Sequence, residues 1–195
     1  MKKILSILLV LCMVFVMCAC GDDATSQSAA QTEQAASDVA DVKENAEPYE
    51  GHFVEVCGAL NLYMPSDWLD YSDSVEASED DLIYITAEVG NVDNNQLMDF
   101  GYIDAKKVTS ELGVSTLEEL QAQLVEDDYK DVIISTSTDG FAYLRCDVAD
   151  KYNADCTTVY IPDADGGLYV LMLFPASNAE LKTIVDYMLS TMTAV

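Results

Sequence analysis

The side chains of this chain that can do chemistry are 6 cysteines, 1 histidine and 35 carboxylates. Catalysis by a Ser-His-Asp or Cys-His arrangement needs an imidazole beside its nucleophile. The sole histidine is His52, and the cysteine nearest to it in the region rich in strand-forming residues is Cys57. An odd number of positions separates them, so on one strand they point to opposite faces. A Cys-His pair is therefore not expected, and His52 reads as an exposed residue at the start of a strand. Carboxylates are so numerous that any two of them lying near each other carry no information.

Two groups of acids have the residue types of a cation site. Asp163 and Asp165 lie in the segment Asp163-Ala164-Asp165-Gly166-Gly167, which has part of a calcium loop but lacks the later ligands and the distant Glu. A hairpin turn accounts for the same Asp and Gly choices without a metal. Asp127, Asp128 and Asp131, or Glu79, Asp80 and Asp81, read as solvated loop acids. No metal ligand and no cofactor is expected.

Cys146 and Cys156 fall on consecutive strand-like segments. A register that sets one opposite the other brings both sulfurs to one face, within reach of a disulfide. Without a Cys-x-x-Cys, neither a redox enzyme nor a structural zinc site has support.

The remaining cysteines crowd the end of an apolar run, at Cys12, Cys18 and Cys20. Lys2 and Lys3 precede that run and Gly21-Asp22-Asp23 follows it. Residues 4–19 suit the apolar part of a signal and are short for a membrane span, which needs ~20 residues. Cys20 is preceded by Ala19, with Met17 at the third position back, and so resembles the lipobox of bacterial lipoproteins, whose cysteine is acylated. Residues 1–19 are thus expected to be a signal, with Cys20 the lipidation site and the protein held on the extracytoplasmic face of the cell membrane. More than one acyl chain gives a lasting anchor, since each buried CH₂ contributes about 0.8 kcal/mol.

The segment from Cys20 to residue 47 has no aromatic residue and, among branched aliphatics, only Val39 and Val42. Such a composition buries too little apolar area to offset chain entropy, and predicts a disordered acidic linker reaching ~30 Å. Residues 48–195 then form one domain with its own core. The whole chain has a net charge of −26, which argues against nucleic acid as a partner, because such binding relies on Lys and Arg neutralising phosphate. The acids read as a solvated coat.

Within the domain, residues 53–57, 59–64, 81–89, 97–104, 131–136, 141–148, 156–161 and 168–174 read as strands. Ser115-Thr116-Leu117-Glu118 and Ser177-Asn178-Ala179-Glu180 read as capping boxes opening two helices. In the second helix Leu181, Ile184, Val185, Met188, Leu189 and Met192 make one apolar stripe against a sheet. There is no internal repeat. The order predicts an α+β fold, a central antiparallel sheet flanked by helices.

The segment Leu60-Asn61-Leu62-Tyr63-Met64-Pro65-Ser66-Asp67-Trp68, the helix from Ser115 with its two following strands, and Thr158-Val159-Tyr160-Ile161 and Leu168-Tyr169-Val170-Leu171 before a terminal helix resemble the PsbP-like family, which includes DcrB-type bacterial lipoproteins. The resemblance implies an α/β/α sandwich serving as a binding or accessory module, with no shared catalytic residue, and makes residues 90–113 an insertion. The aromatics suggest either a ligand groove or, for Trp68, packing over the sheet edge. The expectation is a membrane-anchored, non-enzymatic binding or accessory module whose ligand, an envelope protein or a small molecule, is unspecified. The alternatives are an envelope hydrolase using clustered carboxylates and a structural subunit of a membrane complex.

Overall fold

The computed structural model describes residues 47–76, 78, 80–148 and 154–195. The expected signal, Cys20 and almost all of the linker lie outside them, as does Glu79. Ten strands and two main helices follow in order: β1 (Gly51–Val56), β2 (Leu60–Pro65), β3 (Leu69–Asp70), β4 (Tyr84–Asn91), β5 (Gln96–Ile103), α1 (Leu117–Glu126), β6 (Lys130–Thr136), β7 (Ala142–Asp147), β8 (Thr157–Pro162), β9 (Leu168–Phe174), α2 (Ala179–Ser190) and β10 (Thr193–Ala194). Ala105–Lys107 adds a helical turn that widens over Val108–Leu112.

Seven strands form one antiparallel sheet in the order β3-β4-β5-β9-β8-β7-β6. Alternation along β9 shows how it is buried on both faces. Leu168, Val170 and Met172 point into a core with Leu117, Leu120 and Leu124 of α1, while Leu171 and Leu173 point into a second core with Leu181, Val185, Met188 and Leu189 of α2. A strand covered on both faces needs apolar residues at every position, and the sequence LYVLMLF of β9 supplies them. The central antiparallel sheet flanked by helices is the α+β arrangement the sequence predicts.

The α2 layer also holds a second sheet, β1-β2-β10, which the sequence did not separate from the first. Leu60, Leu62 and Met64 of β2 complete the second core from this side. The short β10 pairs with β2 through Thr193 opposite Asn61.

Both helix starts differ from their expected caps. Thr116, not Ser115, caps α1: its hydroxyl accepts from Glu119 N–H at 3.2 Å, and the Glu119 carboxylate returns to Ser115 N–H at 2.7 Å. Asn178, not Ser177, caps α2, accepting from Glu180 and Leu181 N–H at 3.0 and 3.1 Å. The Ser177 hydroxyl is engaged by the Asp155 carboxylate instead. In each case the cap moves one residue toward the helix, to the residue of extended backbone directly before the first helical one.

Candidate functional site

The two sheets do not cover each other completely. The β1–β2 hairpin lies over β4 and β5, and between them is an open groove of about 600 Å³. Its roof is Val54, Val56 and Met64. Its floor is Ala87, Val89 and Phe100, with Tyr84, Tyr102 and Tyr169 toward one end. Register places these floor residues together: Tyr84 lies opposite Tyr102, Ala87 opposite Phe100, and Tyr102 opposite Tyr169. The pairing shifts between Ile85 and Ala87. That bulge adds a residue to β4 and turns Thr86 into the groove.

Cys57 reaches the groove from the opposite wall. It follows β1 in the hairpin turn, where Cys57 and Gly58 both have positive φ, at 55° and 64°. Strand parity therefore does not govern its direction, and its sulfur lies 3.9 Å from the Thr86 hydroxyl. Cys57 is exposed as a residue, but its sulfur is partly desolvated beside β4, which pushes the thiol above its ordinary pKa against the Thr86 hydrogen bond, so the thiolate needed of a nucleophile is disfavoured. His52 is exposed on β1 and does not line the groove.

The tyrosine end is held by the β8–β9 turn. Tyr102 donates to the Asp163 carboxylate at 2.8 Å, and its ring lies 5.3 Å from that of Tyr169. Burial first, then the Asp163 contact, raises the Tyr102 pKa, so the phenol stays protonated. Gly167 makes the approach possible, because a Cβ there would collide with the Tyr102 hydroxyl. The other Asp163 oxygen accepts from Ala164 N–H at 2.7 Å. Both oxygens of Asp163 thus serve the turn and the groove wall. Among the described residues no group of three or more His, Cys, Asp or Glu is arranged to hold a metal ion. Asp80, Asp81, Asp128 and Asp131 are exposed and Asp127 is half-buried.

The groove is apolar inside and acidic at its edges, where Glu55 and Asp70 stand. The carboxylate whose pKa burial raises, Asp99, lies elsewhere. Glu88 and Asp99 pair across β4 and β5, next to residues that face the groove core and therefore on the opposite face of the sheet.

The expected register of Cys146 and Cys156 does not occur. Cys146 lies opposite Thr158, and Val148 N–H donates to the Cys156 carbonyl at 2.9 Å, which sets Cys156 opposite Val148. The two cysteines share the buried α1 face as diagonal neighbours and stand as thiols. Diagonal neighbours are roughly 7–8 Å apart, beyond the ~4.4–6.8 Å between Cα atoms that a disulfide spans.

The aromatics divide between the two expected roles. Trp68 packs against the α2-side core and donates to Gln96 Oε1 at 3.1 Å. Tyr63 packs on the outside of the hairpin, tilted against Tyr49 and edge-to-face with Phe53 and Tyr187. Tyr84, Tyr102 and Tyr169 make the groove. The sequence showed these three as strand tyrosines, but their convergence depends on the pairing of β4, β5 and β9 and on the hairpin above them.

Among the described residues, no helix is long and apolar enough to cross a membrane. No family model and no curated protein matches the chain. Solved structures similar to this chain include the solution structure of cyanobacterial PsbP (CyanoP) from Synechocystis sp. PCC 6803, at 10% identity and a TM-score of 0.48, covering 79% of this chain and 99% of that one.

Proposed function

We propose that this chain is a non-enzymatic binding module, anchored through lipid on Cys20 to the extracytoplasmic face of the cell membrane, and that it takes its ligand in the groove between the two sheets. The observation that carries this reading is the groove: about 600 Å³, with aliphatic walls, three tyrosines at one end and Tyr84 still 41% exposed. Binding sites are concave and mostly apolar, with a few placed polar groups, and here the Tyr102 and Tyr169 hydroxyls and the Thr86 hydroxyl have that role. The residues 60–68, together with the order of helices and strands, support kinship with DcrB-type lipoproteins.

Thr86→Trp tests the groove, since Thr86 is exposed and its side chain points into the open space. Nile red, a neutral apolar dye, should bind the full chain with a rise in fluorescence that Thr86→Trp reduces at least ~10-fold in affinity. Equal binding by both proteins would contradict the reading.

A further inference from the structure

Among the described residues, strand β1 ends its sheet, with β2 on one side and no strand on the other. Ser66 N–H donates to the Glu50 carbonyl at 2.9 Å, continuing the β1–β2 register. Ladder bonds recur at every second residue, so His52, Val54 and Val56 direct their backbone groups toward β2. Phe53 and Glu55 direct theirs away from it, along the outer edge. That edge borders the groove, because Val54, Glu55, Val56 and Cys57 form one of its walls. An open edge of this kind is a template for another strand.

We propose that the β1 edge takes up an extended peptide of a partner protein by strand addition, with apolar side chains alternating with Lys or Arg. This rests on the reading of the groove as the ligand site. An added strand lies about 4.8 Å from β1, over the floor of β4. Its alternate side chains point to opposite faces. One set enters the groove toward Tyr84, Ala87 and Val89, which calls for apolar residues. The other set stands on the outer face beside Phe53 and Glu55, where a cation opposite a carboxylate is the favourable cross-strand pair. Asp70 on the far wall and the net charge of −26 add to the same preference. The chain's own residues 21–46 are a poor occupant, since Asp22, Asp23, Glu33, Asp38, Asp41 and Glu44 repel Glu55 and few apolar residues accompany them. A second copy would bring a second chain of net charge −26 against the first.

The experiment titrates the full chain in mild detergent with a fluorescein-labelled octapeptide alternating Val and Lys. Two control peptides alternate Val and Glu, or carry N-methyl groups at every second residue of the Val-Lys peptide. The Val-Lys peptide should bind saturably, and each control should bind at least ~10-fold more weakly, as expected when several net hydrogen bonds or the charge match are lost. Glu55→Lys should invert the preference between the Lys and Glu peptides while leaving the melting temperature unchanged. Equal binding of the N-methylated peptide, or an unchanged charge preference in Glu55→Lys, would overturn strand addition. Self-association of the chain with the peptides inert would overturn it too. If Nile red is still blocked by Thr86→Trp when strand addition fails, the groove remains a binding site; if both fail, both readings fall.

Discussion

The carboxylates of Glu88 and Asp99 face each other across the β4–β5 ladder and share a hydrogen bond on the α1 face of the central sheet. Burial, then the charge of Glu88 and the bond between them, raises Asp99 to a pKa of about 7. In the unfolded chain an aspartate titrates near ~4. Between these values the folded protein holds a proton that the unfolded chain has lost, so stability falls as pH rises through this window and is lowest above it. Asp99→Asn should flatten the slope and stabilise the protein by on the order of 1–2 kcal/mol at about pH 8, read as a Tm some ~2–8 °C higher. Parallel pH profiles of the variant and the natural protein would contradict this assignment.

Asn178 joins two parts of the fold. Its carbonyl oxygen caps α2, while its amide donates to the carbonyls of Asn94 and Asn95 at 3.2 Å each, in the β4–β5 connection. Asn178→Asp keeps the cap and removes the donors; Asn178→Ala removes both. Chemical denaturation should show the alanine variant destabilised by ~1–2 kcal/mol and the aspartate variant by less. Equal losses would mean that the cap contributes nothing.

Thiol accessibility separates the three described cysteines. Cys57 is exposed, whereas Cys146 and Cys156 are buried. Alkylation of the native protein followed by peptide mapping should label Cys57 and leave the other two until the fold is unfolded. A Cys146–Cys156 disulfide peptide in the native protein would contradict the observed register.

Lipid attachment has its own test. Palmitate should be incorporated into the full chain and lost in Cys20→Ala, with the variant released from the membrane fraction. Unchanged labelling in the variant would exclude Cys20 as the acylated residue.

Eight of the ten strands and both main helices were legible from residue order because each follows a local rule: β9 is a run of apolar residues, and α2 carries an unbroken apolar stripe, whereas the two-residue β3 and β10 are too short to show one. Caps were legible to within one residue, since Ser115 and Thr116, or Ser177 and Asn178, offer equivalent side chains and only backbone geometry decides between them. The division into two sheets was not legible. Nothing local to β1 or β2 says that they pair with β10 and lie over β4 and β5, and the groove exists only because of that long-range arrangement. Cys57 shows the same limit. Its placement follows from a positive φ in a turn, which a parity argument along one strand does not capture.

If the space beneath β1 holds the ligand, Cys57 gives direct access to it. A benzophenone maleimide attached to Cys57 in the full chain, illuminated in the protein's own membranes, should yield a crosslinked product that is missing in Cys57→Ser. Thr86→Trp should abolish it and excess Val-Lys octapeptide should compete with it. A product that persists unchanged in Thr86→Trp, or no Cys57-dependent product at all, would contradict the groove as the ligand site.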